Sequence, residues 1–266
     1  RAPSLILACL FFALAVDRAV AAAPNQLNLF IWSEYIDPEI VKDFEKQADC
    51  NVTIDLFEDD AAMLAKLRAG GASLFDVVVP PDHQVPALIK LGLIAPLRHE
   101  NIPNLKNLDE RFRDPPYDRG NRFTVAYQWG TLGLYVRQAD GRALPATWGL
   151  IFDPKLQPGP LILMDNARDL LGAALKFKGH SLNSVDISHL KEARDLILQA
   201  KQRGLAFEGS VGGKNRILGK AAAVAMVYSG EAARGMAEDK QTAYLIPREG
   251  SLIWQDNLVV LAKAPH

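Results

Sequence analysis

Cysteine is scarce in this chain: Cys9 and Cys50 are the only two in 266 residues. A disulfide framework is thereby excluded, and stability has to come from a buried core. An excess of one charge is missing too. The 30 Lys and Arg nearly balance the 31 Asp and Glu, leaving a net charge of −1. Both signs are interspersed, so the basic stripe of a nucleic-acid binder is absent from the linear sequence. The histidines at 83, 99, 180, 189 and 266 include no pair at metal-ligand spacing, so no metal site is expected. Neither G-x-S-x-G nor H-E-x-x-H occurs. The glycine-rich "EGSVGGKN" fails as a phosphate loop, because Glu208 stands where the first Gly belongs and Asn215 follows Lys214; it reads as a plain loop. No catalytic constellation emerges, so neither an enzyme nor a cofactor is expected. No apolar run after residue 23 is long enough to span a bilayer, so an integral membrane protein is not expected.

The first residues are different. "SLILACLFFALAV" followed by "DRAVAAAP" has the layout of a secretory signal peptide over 1–23, cleaved near Ala21 to Ala23. The apolar run continues past Cys9, which argues against a lipidated cysteine there. Removal of the signal would leave Cys50 unpaired, read here as a small buried apolar residue just before a strand. An exported chain without disulfides fits the bacterial periplasm.

From residue 27 onward, β-rich runs alternate with helical periods. "LNLFI", "NVTIDLF" and "FDVVVP" read as strands. Asp37 with Pro38 opens one helix, carrying Ile40, Val41 and Phe44 at helical spacing. Asp60 caps another with Met63, Leu64 and Leu67 on its apolar side. "HQVPALIKLG" reads as a third. Residues 96–122, rich in Pro, Asn, Arg and Asp, read as a surface excursion. "FTVAYQWGTLGLYV" reads as two strands hinged at Gly130. "PLILMD", "AAAVAMVYSG", "TAYLIP" and "LIWQDNLVVLA" are further strands, with helices over "NARDLLGAALKFKG", over "HLKEARDLILQAKQRG" and from Glu231. The succession predicts an α/β chain of two units, each a mixed, mostly parallel sheet flanked by helices.

One local event recurs. Strand ends carry an aromatic beside an acid or a small polar group: Trp32-Ser33-Glu34-Tyr35, Asp82-His83, Trp129, Asp165-Asn166 with Asp169, Tyr228-Ser229-Gly230-Glu231, and Trp254-Gln255-Asp256. Singly, each such ring is more often core packing and each such acid more often a helix cap. Together they sit where open α/β sheets bind ligands, outside the carboxyl ends of strands. Aromatic faces attract cations and carboxylates accept charged hydrogen bonds from ammonium groups. The combination suits a flexible aliphatic amine with charged ends.

The segments "IWSEYIDPEIVKDFEK", "FDVVVP", "YQWGTLGLYV", "MDNARDLLGAALK", "VAMVYSGEA" and "PREGSLIWQDNLVV" occur in that order. Across nearly all of 27–262 the chain resembles the bacterial periplasmic spermidine/putrescine-binding proteins, substrate receptors of ABC-type polyamine importers. The resemblance implies a two-lobed periplasmic-binding-protein fold of type II. Residues 24–130 with 252–266 would form the first lobe, 131–251 the second, and the ligand cleft would lie between them. It implies an aromatic box of Trp32 and Tyr35 beside Ser33, a wall at Trp254, an amine-gripping Asp256, and a weaker acid at Glu231. With Glu34, Asp82, His83, Trp129, Asn166, Asp169 and Tyr228, these are the candidate ligand contacts.

The chain departs from the family pattern in places. Pro81 and His83 stand where the family carries Ser and often Ser or Tyr. Asn166 and Asp169 stand in a segment that reads D-D-A-R-E in spermidine binders, so one acid has become an amide. Loss of a carboxylate favours a diamine such as putrescine over spermidine. A protonated His83 in the cleft would repel a cation, so weaker binding is expected below about pH 6. Relative to the family the chain reads as lacking a C-terminal portion. An inner-membrane ABC permease and a monomeric state are the expected partner and assembly. Another cationic solute, an iron complex, or a polyamine-sensing role on the same scaffold are the competing readings.

Overall fold

The computed structural model describes residues 25–138, 141 and 143–266. The signal peptide read over 1–23 lies outside the described residues. The elements in chain order are β1 Asn25–Trp32, α1 Pro38–Ala48, β2 Cys50–Phe57, α2 Asp60–Arg68, β3 Val77–Val78, α3 Val85–Lys90, β4 Val125–Arg137, α4 Gly149–Phe152 and β5 Leu161–Met164. Next come α5 Ala167–Phe177, α6 Ile187–Lys201, β6 Gly204–Glu208, α7 Ser210–Leu218, β7 Val224–Tyr228, α8 Ser229–Glu238, β8 Thr242–Leu245 and β9 Ile253–Val260. The sheet runs β2-β1-β3-β9-β4-β7-β5-β6, with β8 also paired to β4. β1 lies parallel to β2 and β3, and β5 parallel to β6 and β7. The middle strands β9 and β4 run antiparallel to their neighbours.

Strand periodicity sorts the core. On β1, Phe30 packs with Phe57, Met63, Phe75 and Leu88, while Leu29 and Ile31 face the other side with Val79. On β4, Leu132, Leu134 and Val136 join Trp148 and Leu163 on one face, and Tyr135 meets Ile162 and Val227 on the other. Two sets of buried residues result, and β4 and β9 cross from one to the other. The two strands expected around Gly130 are one strand of 13 residues. The hydrogen-bonding partner changes instead: residues up to Thr131 pair with β9, and those from Leu132 pair with β7.

Other expectations shift by small amounts. Asp37 caps α1, accepting from the Glu39 amide at 2.9 Å, and Pro38 fills the first position. The cap of α2 is Asp59, bonded to the Ala62 amide at 2.7 Å, and Asp60 points elsewhere. Ile40 and Phe44 keep their helical spacing yet are 61% and 46% exposed. Cys50 is the half-buried first residue of β2 rather than a residue before it. "EGSVGGKN" is not a loop; most of it forms α7. Gly213 there lets the helix approach β7, since an added Cβ would sit 3.2 Å from Val227 Cγ2.

Candidate functional site

A cavity of about 970 Å³ opens between the two sets of buried residues. Every candidate contact except Trp129 lines it. The carboxyl ends of β1, β5 and β7 converge there, and β9 supplies the floor. Trp129 is the correction. It is 49% exposed, stacks near Phe112 with centroids 6.0 Å apart, and lies under the Arg111 guanidinium at 5.5 Å. The reason is the two-residue period of β4: Gln128 faces the cavity, so Trp129 faces away. A Cβ on Gly130 would collide with the Trp254 ring and with Ser229 Oγ, so glycine is what lets Trp254 lie flat on β4.

Two carboxylates dominate the floor. Asp256 and Asp169 are 5% and 6% exposed. The Tyr35 hydroxyl donates to Asp256 Oδ2, and the Tyr228 hydroxyl donates to Asp169 Oδ2 at 2.5 Å. Trp254 stands between the two tyrosines, 6.5 Å from the Tyr35 ring and 5.9 Å from that of Tyr228. Among the described residues neither carboxylate has an ion-pair partner within 4.0 Å. Burial pushes Asp256 up to about 7, against the Tyr35 hydrogen bond, and raises Asp169 against the Tyr228 bond. Burial also holds both phenols well above their ordinary range, so they remain neutral donors. Asn166 caps α5, accepting from the Asp169 amide at 3.1 Å, and so orients that carboxylate.

The Trp32–Tyr35 segment is held from β4. Tyr127 Oη and Gln128 Nε2 donate to the Tyr35 carbonyl at 2.7 and 3.0 Å. Ser33 Oγ donates to Glu58. Trp32 packs on Phe57 with centroids 4.4 Å apart.

Glu231 is already engaged, which corrects its reading as an ammonium grip. Lys214 Nζ lies 3.2 Å from one of its oxygens and Arg234 Nη1 2.6 Å from the other. His83 is likewise tied, with Nε2 2.9 Å from Asp60 Oδ2 and Nδ1 3.7 Å from Asp82. Burial opposes its charge, but the bonds to Asp60 and Asp82 outweigh it and push His83 up to about 9. The expected titration near pH 6 is therefore overturned: His83 is a standing cation at neutral pH.

Sequence reasoning missed Asp60, Tyr117, Gln128, Arg168 and Arg234, all on the cavity wall. The alternation along β4 signals Gln128. Tyr117 lay in the segment set aside as surface, and its hydroxyl bonds Asn257 Oδ1 at 3.0 Å. Asp60 and Arg234 carry no local signal, since their roles depend on partners 23 and 200 residues away.

A sequence model for bacterial extracellular solute-binding proteins matches residues 39–266. The chain belongs to that family. It is similar to a putrescine/cadaverine-binding protein of Pseudomonas aeruginosa, 37% identical across 93% of this chain and 73% of that one. It is similar to a spermidine/putrescine-binding periplasmic protein of Escherichia coli, 27% identical across 98% of this chain and 75% of that one. A solved spermidine/putrescine ABC transporter structure from Listeria monocytogenes matches with TM-score 0.83 and 35% identity, over 90% of this chain and 74% of the other. The α/β periplasmic-binding-protein fold and the polyamine-receptor resemblance both stand on these matches. No described helix is long and apolar enough to cross a membrane.

Proposed function

We propose that this solute-binding protein is a periplasmic receptor that captures a linear diamine, with putrescine favoured over spermidine, and hands it to an inner-membrane ABC importer. It performs no chemistry and acts as a monomer without a cofactor or nucleic acid. The observation that carries this reading is the pair of buried carboxylates without an ion-pair partner within 4.0 Å, Asp256 and Asp169, each bonded to a tyrosine that packs near Trp254. A buried carboxylate without a partner is unfavourable, and an ammonium at each would remove that penalty twice with one ligand. The methylenes between them would lie on the faces of Trp254, Tyr35 and Tyr228. Two such places favour two charges, and Asn166 supplies no third acid. The greater identity to the putrescine/cadaverine-binding relative points the same way.

The lobes are read as 24–130 with 252–266, and 131–251. Asp256 then belongs to one lobe and Asp169 to the other, so a diamine binds best when the lobes are together and shifts the population toward closure. Calorimetric titration with putrescine, cadaverine, spermidine and agmatine tests the reading. Putrescine or cadaverine should bind one per chain and most tightly. Absence of heat with all four, or turnover of any of them, would overturn it.

A further inference from the structure

We propose that Arg234 is a charge filter that limits this site to ligands with two positive charges; the inference rests on the diamine reading above. Arg234 sits one turn into α8, on the cavity wall. Its Nη1 lies 2.6 Å from Glu231 Oε1 and 2.6 Å from Glu34 Oε2, and its Nη2 donates to the Glu34 backbone carbonyl at 2.9 Å. Glu34 adopts φ 53°, a left-handed conformation that a non-glycine residue takes at a cost, and its carbonyl meets the guanidinium there. Lys214 closes the other side of Glu231 at 3.2 Å. The four charges Lys214, Glu231, Arg234 and Glu34 alternate in sign and sum to zero.

The consequence concerns longer polyamines. A cavity of about 970 Å³ has room for a triamine, so volume does not exclude one. Charge does. With Asp256 and Asp169 taken by two ammonium groups, a third needs another carboxylate. Glu34 and Glu231 are neutralised by Arg234 and Lys214, and Asp60 by His83. Asp82, 31% exposed, shares that His83 cation at 3.7 Å, and the acids left, such as Asp59 and Asp165, are exposed, where water screens their attraction. A third ammonium beside Arg234 meets a like charge instead.

The test separates a filter from a simple clamp between the lobes, because a clamp changes all affinities together and a filter changes their ratio. Calorimetry of the full chain at pH 7.5 compares spermidine with putrescine in wild type, Arg234→Gln, Arg234→Lys and Glu34→Gln. In Arg234→Gln the spermidine-to-putrescine affinity ratio should rise at least about tenfold, the gain expected from a freed carboxylate in a partly desolvated site. Arg234→Lys should keep the wild-type ratio. Glu34→Gln, which leaves the guanidinium less neutralised, should lower the ratio. Thermal melts establish that each variant is folded, and Glu34→Gln tests the idea independently of any damage to α8. A ratio within twofold of wild type in both Arg234→Gln and Glu34→Gln, whatever happens to the absolute affinities, overturns the filter while leaving the diamine reading intact. If wild type binds neither amine, the diamine reading fails and the filter with it.

Discussion

Asp256 is held in an environment that favours its protonated form, and a ligand cation reverses that preference. Its pKa of about 7 in the unliganded protein exceeds the usual carboxyl value because burial disfavours the charge. Binding an ammonium requires the ionised form, so on the proposed reading a proton would leave as the diamine enters. Putrescine affinity should therefore fall as pH drops below about 7, by up to roughly tenfold per unit for one displaced proton. Titrations in buffers of different ionisation enthalpy at pH 6 would count that proton; no buffer dependence would contradict the assignment. His83 stays charged across this range and adds no slope. The sign for stability is opposite to that of a salt-bridged acid. Because the folded-state pKa is raised, the unliganded fold loses stability as pH climbs from the ordinary carboxyl range towards 7, and is level above it. Asp256→Asn keeps an acceptor for Tyr35 and removes the buried charge. It should raise the unliganded melting temperature at pH 7.5 by roughly 3–8 °C while abolishing tight putrescine binding. Trp129→Ala, by contrast, should leave putrescine affinity within about twofold, since that ring faces away from the cavity.

At the scale of elements, β4 and the helix starts set the site. Gly130→Ala should displace the Trp254 ring and weaken putrescine binding by about tenfold or more, with near-normal circular dichroism; unchanged affinity would show that the ring position is not critical. The elements themselves were largely legible in the sequence. The Asp37-Pro38 start, the strand runs and the cap at Asn166 rest on local chemistry that short segments carry. What was not legible depended on distant partners. Asp59 and Asp60 are adjacent acids, and only the approach of His83 and Gln84 to Asp60 decides which one caps α2. Two glycines in α7 read as a loop, and only the packing of Gly213 on β7 and of Gly212 on Glu208 shows why a helix tolerates them. β4 looked interrupted at Gly130 because its partner changes there, not its backbone. Most of the candidate site was legible as residue types at strand ends. The pairing of its charges was not: the resemblance implies a ligand-gripping acid at Glu231, and two cations of the chain itself hold it.

At the scale of the molecule, the first and second sets of buried residues are joined through β4 and β9 and meet across the cavity at the Glu34–Arg234 contact. On the proposed reading, a diamine held at both Asp256 and Asp169 would draw the same two halves together. Small-angle scattering should show the radius of gyration falling on addition of putrescine, and showing no such fall in Asp169→Asn. The most direct check of the central claim is a crystal structure of the protein with putrescine. One amine nitrogen is expected within about 3 Å of an Asp256 oxygen and the other within about 3 Å of an Asp169 oxygen, with the methylenes against Trp254. A putrescine bound elsewhere, with both carboxylates left unpaired, would contradict the account.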